Sequence, residues 1–178
     1  MLDRLFGKPR EKTAAITLYQ AIVTAARQPF LYREHGVPDT VEGRLELVML
    51  HTSLVIDVLR RDEEDAGAMA VSQALFDAMF DDFDAAMREM GVGDSGIGKK
   101  IRFMAEGFYG RSQSYLTSLA QADNAALERV LARNLLGVES DESRAGPLAA
   151  YVRGVKTALE AHGSAALTAG ECPEFPSP

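Results

Sequence analysis

Apolar residues recur along this chain at intervals of three and four almost throughout, the period of helices buried on one side. From Thr13 to Gln28, Leu18, Tyr19, Ile22, Val23 and Ala26 fall together, and Pro29 marks the end of this first helix. The segment from Phe30 to Asp39 contains Gly36 and Pro38 and reads as a connection, with Phe30 and Tyr32 packing back on the core. A second helix begins at Thr40, an N-cap type, and runs to Leu59. Its stripe of Val41, Leu45, Val48, Val55 and Leu59 is broadened by Leu47, Leu50, Leu54 and Val58. An apolar surface on more than one face predicts the central, most buried helix.

A polar joint, Arg61 to Gly67, leads to a third helix from about Ala68 to Met90. Gly91 is placed to end it, because glycine takes the left-handed C′ conformation at low cost. Gly91, Gly93 and Asp94 then form a corner, with Asp94 or Ser95 as the cap of a fourth helix over Ile97–Ala120. That helix contains Gly107 and Gly110, each costing about 1 kcal/mol relative to alanine, which predicts a close backbone approach or a kink. Asn124–Leu136 and Pro147–His162 carry two further apolar stripes. From Gly163 the periodicity fades and three prolines appear. The pattern therefore predicts an all-α, single-domain bundle of about six helices. Its parts are a short N-terminal segment over 1–11, a helical domain over 12–162 and a flexible tail over 163–178. No strand pattern of useful length and no internal repeat is visible.

Charge changes this picture locally. The whole chain is acidic, with a formal net charge of −7, which argues against a DNA binder. Residues 61–98 hold ten acids against two bases, whereas residues 99–116 hold four bases against one acid. Asp77, Asp81 and Asp84 occupy one side of the third helix, opposite Val71, Leu75, Met79, Phe83 and Met90. A hard cation could use such a ladder, but a solvated face is the simpler reading, with Asp84 pairing to Arg88 four residues on.

Candidate reaction chemistry is sparse. His35, His51 and His162 form no HExxH, ExxH or HxxxH arrangement, so a helical metal site lacks its nitrogen ligands. His51 lies in a strongly apolar helix and reads as a satisfied core or boundary residue. The single Cys172 excludes an intrachain disulfide and has no neighbouring histidine. The stretch Gly91 to Lys100 is superficially like a phosphate loop, but Lys100 stands where GxxxxGK[ST] needs Ser or Thr, and a helix precedes it. No catalytic residue, metal or cofactor is implied.

Recognition chemistry is better represented. Lys99, Lys100, Arg102, Tyr109 and Arg111 give the fourth helix a basic, aromatic side. A helix that starts with two lysines opposes its own dipole, which a nearby acid or an anionic partner would relieve. Tyrosine and arginine beside a small residue are typical of protein-contact hot spots. The bland alternative is a solvated basic face.

These same residues carry a family resemblance. Asp82-Phe83-Asp84, Met87-Arg88-Glu89-Met90-Gly91-Val92-Gly93-Asp94, Lys99-Lys100, Met104, Phe108-Tyr109-Gly110-Arg111 and Tyr115 follow one another in order. Upstream stand Leu18-Tyr19 through Phe30-Tyr32, then Gly36-Val37-Pro38-Asp39-Thr40 and Gly43-Arg44-Leu45-Glu46-Leu47. In this order and spacing, over roughly residues 12–160, the chain resembles the ubiquinol–cytochrome c chaperone family. These are helical assembly factors of respiratory complex III in alphaproteobacteria and mitochondria. The short N-terminus, without a visible leader, looks like the bacterial form.

The resemblance implies a non-enzymatic chaperone that binds newly made cytochrome b. It implies the ribosome as a further partner, by likeness to the mitochondrial form. Partner-binding residues would be Lys99, Lys100, Arg102, Tyr109 and Arg111. The expected location is cytoplasmic, peripheral at the inner membrane face, with a weak membrane contact through Leu2, Leu5, Phe6, Lys8, Arg10 and Lys12. A reading from another class is a helical lipid or quinone carrier, motivated by Met79, Phe83, Met87, Met90, Phe103, Met104 and Phe108. Core packing is the simpler reading of those seven residues.

Overall fold

A computed structural model describes residues 9–91, 93–138 and 145–177. Among them are eight α-helices: α1 (Pro9–Ala26), α2 (Pro29–Arg33), α3 (Val41–Leu59), α4 (Ala66–Glu89), α5 (Asp94–Leu119), α6 (Ala125–Leu131), α7 (Gly146–His162) and α8 (Ser164–Thr168). No strand occurs among the described residues, so the expected all-α class is what forms.

Helix α3 is the centre, as its broad apolar surface predicts. Every residue from Leu47 to Val55 is buried, so neighbours cover it all round. Helices α1, α4, α5, α7 and α8 all pack on it. Its start is fixed by Thr40, whose hydroxyl accepts the Gly43 amide at 3.1 Å. Gly43 is needed there for space: a Cβ would fall 2.1 Å from the Pro38 carbonyl oxygen.

Helix α4 starts two residues earlier than the sequence predicts. Asp65, inside the acidic joint, is its cap and accepts the amides of Gly67 at 2.9 Å and Ala68 at 3.0 Å. Gly91, at φ 80°, ends the helix in the left-handed region as expected. The next start differs from expectation: Gly93 holds the N-cap position of α5 without a side-chain cap, and Asp94 is the first helical residue. Neither Gly107 nor Gly110 is met by another backbone. Space beside Gly110 is open, and a Cβ on Gly107 would meet only the Arg111 guanidinium at 2.5 Å.

Helix α6 passes directly into a π-helical turn, Ala132–Leu136, closed by Gly137 at φ 66°. Arg153 of α7 ties this end of the molecule together. Its guanidinium donates to Asn124 Oδ1 at 2.5 Å and to the carbonyls of Leu119, Gln121 and Asp123 at 2.9–3.1 Å. It thereby satisfies carbonyls that the end of α5 leaves unpaired.

Over its described residues, the segment after Gly163 is laid against the bundle. Helix α8 occupies Ser164–Thr168, and its Leu167 is fully buried. Gly170, at φ 86°, comes so close to α1 that a Cβ would lie 2.9 Å from Ala14 Cα. Beyond it, the Phe175 ring sits 5.6 Å from that of His51, and Pro176 covers Gly154. The physical reason is tertiary: small residues let a short segment approach, although it is too short to show a helical period.

Candidate recognition surfaces

His51 illustrates where polar chemistry is already used. It is fully buried, with Nδ1 2.7 Å from the Leu47 carbonyl and Nε2 2.7 Å from the Tyr151 hydroxyl. A carbonyl only accepts, so Nδ1 carries the proton and Nε2 accepts from Tyr151. Burial lowers the imidazole pKa to about 4, so it is neutral at pH 7. Both nitrogens are committed, which fits a structural histidine. Burial also pushes the Cys172 thiol up to about 11, the opposite of an activated nucleophile.

The five predicted contact residues on α5 do not share one fate. Lys99, Lys100 and Arg102 are exposed, and no ion pair holds them among the described residues. At about 100° per residue, Lys99, Arg102, Phe103 and Glu106 fall on one outward face, while Lys100 stands to its flank. Phe103 is the most exposed large apolar side chain described, at 75%. It is therefore part of this surface rather than of the core.

Tyr109 is 58% exposed and stacks on Phe76 of α4 at 5.6 Å and 27° between planes. It is pre-positioned by that ring, with Phe80 and Phe108 beneath. Arg111 turns inward, against expectation. Its Nη2 lies 2.8 Å from Glu46 Oε1, and that carboxylate is largely buried between α3 and α5. The missing Cβ of Gly107 leaves the room through which Arg111 folds back. Desolvation raises the Glu46 pKa, and the Arg111 charge opposes that shift. Arg111 is thus a bundle fastener between α3 and α5. Gly91 and Gly93 lie in the turn between α4 and α5, while the Asp94 side chain and Val92 lie outside the described residues.

The acidic ladder is partly internal. Asp84 pairs with Arg88 at 2.6 Å as expected, and Asp77 accepts from Gln73 at 2.8 Å. Asp82, beside that ladder, accepts the Tyr19 hydroxyl at 2.7 Å and joins α4 to α1.

Sequence reasoning missed a cleft on the other side of the molecule. It is about 310 Å³ and lies between α1, α3 and α4, floored by Val23, Leu45, Val48 and Phe83. Val41 and Met90 stand exposed on its edge. Arg27 and Arg44 form one wall and are shared with an adjoining hollow of about 470 Å³ that also contains Tyr32 and Arg33. Tyr19, Arg44-Leu45, Asp82-Phe83 and Glu89-Met90 all line the cleft. Those residues belong to the separate stretches that carry the family resemblance, so a signal was present without its spatial meaning.

Comparison with known proteins agrees with the resemblance. The profile of the family described as "Ubiquinol-cytochrome C chaperone" matches residues 33–175. Ubiquinol-cytochrome-c reductase complex assembly factor 1 of Xenopus laevis is 24% identical over 139 residues, covering 78% of this chain and 68% of that protein. The crystal structure of the Cbp3 homolog from Brucella abortus superposes with a TM-score of 0.80 at 32% identity, covering 99% of this chain and 97% of that one. With its helical bundle and a profile match across most of its length, the chain belongs to the ubiquinol-cytochrome C chaperone family.

Proposed function

We propose that this protein is a non-enzymatic chaperone that binds newly made cytochrome b and promotes its assembly into ubiquinol–cytochrome c reductase. The family match over residues 33–175 carries this reading. The surface supports it in kind: Lys99, Lys100, Arg102, Phe103 and Tyr109 offer cations and aromatics without a described ion partner. Such side chains suit an acidic or mixed polypeptide surface more than a substrate pocket. Helix α5 is one contact region in this reading, and Arg111 supports it from behind.

No helix among the described residues is long and apolar enough to cross a membrane. The proposed site of action is cytoplasmic, at the inner face of the membrane that receives the client. Of the residues expected to touch that membrane, Leu2, Leu5, Phe6 and Lys8 lie outside the described residues. A ribosomal contact during client synthesis is compatible with the basic face of α5.

The carrier alternative draws on seven residues, most of which the bundle uses for packing. Met79, Phe83, Met87 and Phe108 are buried in the core and Met104 packs partly against it, while Met90 and Phe103 are exposed.

Site-specific crosslinking in translating cells tests the assignment. A photo-reactive residue at position 103 is expected to capture newly made cytochrome b. Lys99→Glu with Lys100→Glu is expected to reduce that capture by about tenfold. Undiminished capture with both charges reversed contradicts the α5 contact.

A further inference from the structure

The cleft between α1, α3 and α4 combines two kinds of surface that no single bundle helix needs. Its edge carries Val41 and Met90, which are 48% and 55% exposed although both are apolar. Methionine adapts its shape to varied apolar partners. The adjoining hollow brings Arg27, Arg33 and Arg44 together. Asp39 pairs with Arg44 at 2.6 Å, while Arg27 and Arg33 have no ion-pair partner among the described residues. The hollow is therefore electropositive in an otherwise acidic protein, and it opens beside a mainly apolar trough that Asp82, bonded to the Tyr19 hydroxyl, and Glu89 also line.

We propose that this cleft holds a short apolar segment of the client polypeptide with an acidic residue at one end. The apolar side chains lie against Met90, Val41 and Leu45, and the carboxylate reaches Arg27 and Arg33. Charge complementarity selects an acidic flank, and arginine forks suit a carboxylate. The trough's size matches the lower range of ligand-binding clefts, so it takes a few side chains rather than a whole helix. Segments remote in sequence converge on it, which places recognition on both sides of the α3–α4 pair: α5 on one, this cleft on the other.

This inference rests on the chaperone reading, and its test keeps the two apart. Full-length protein is applied to overlapping peptides that tile the cytochrome b of the host. Binding is expected for peptides whose apolar run adjoins Asp or Glu. Fluorescence anisotropy then compares the best peptide with a version carrying Lys in place of the acid. The lysine version is expected to bind about tenfold more weakly. Arg27→Glu with Arg33→Glu should erase or invert that preference. Met90→Asp should abolish binding of both peptides, whereas Glu63→Gln, at an exposed position outside both surfaces, should leave it unchanged.

Circular dichroism melts check that Met90→Asp is folded, and Val41→Asp serves as an independent block of the same edge. Equal binding of acidic and lysine peptides overturns the proposal, as does an array without a bound peptide. Displacement of the peptide by oleate or phosphatidylglycerol vesicles, with loss of the acid preference, makes the cleft a lipid site and also overturns it. If Met90→Asp restores complex III in cells lacking the gene, the cleft proposal falls while the chaperone reading stands. Normal complex III in cells lacking the gene removes the chaperone reading itself, whatever the peptides do.

Discussion

Helices α3 and α5 pack against each other but use their polar groups in opposite ways. In α3 the imidazole of His51 is held at both nitrogens, and the Thr40 hydroxyl is committed to the helix start. These polar atoms serve the bundle. In α5 the inward side does the same, through Arg111 and Glu46, but the outward side leaves Lys99, Arg102 and Phe103 facing solvent. The difference teaches where recognition can reside. A buried polar group with its partners satisfied specifies the fold, whereas an exposed cation beside an exposed aromatic remains available to another chain.

The comparison implies a steep asymmetry in mutational cost. Leu50→Ala in α3 removes a fully buried side chain and should cost about 2–5 kcal/mol, read as a large fall in the denaturation midpoint. A loss below ~1 kcal/mol would mean that α3 is not the packed centre. Next in size is the acid response of His51. Its folded pKa is depressed to about 4 from the ordinary 6.5, so its contribution is fully present above about pH 6.5. Stability is lost as pH falls through that window, by roughly tenfold in the folded-to-unfolded ratio per pH unit. Glu46 shifts in the opposite sense, so the measured quantity is the difference between wild type and His51→Gln. A difference that stays flat from pH 7 to 4 contradicts the sealed site. Smallest is the effect of Lys99→Glu with Lys100→Glu on stability, expected within about 0.5 kcal/mol despite the loss of client capture. A fold that melts on this change would make the basic face structural.

Much of the bundle was legible because its signals are local. The multi-faced apolar run around Leu47–Val58 identified the central helix, and Gly91 marked the end of α4. Asp65 was hidden as a cap inside a uniform acidic run, where only the backbone shows which carboxylate meets the first amides. The packing of residues 163–177 was invisible because α8 is a single short turn whose fit depends on Ala14 and Gly154 elsewhere.

The recognition side divides in the same manner. Charge counting and aromatic content located the α5 face. They could not see that Gly107 lets Arg111 turn back to Glu46, since that pairing joins two helices. The cleft is built from three helices and has no periodic signature of its own. Its residues stood in the family-like motifs, and only their convergence in space revealed a surface.

Deletion of the gene in its host, followed by quantification of cytochrome b and assembled ubiquinol–cytochrome c reductase, tests the central claim most directly. The account predicts loss of both, restored by the wild-type gene and not by a copy with Lys99 and Lys100 reversed. Unchanged amounts of cytochrome b and of the assembled complex in the deletion strain would contradict it.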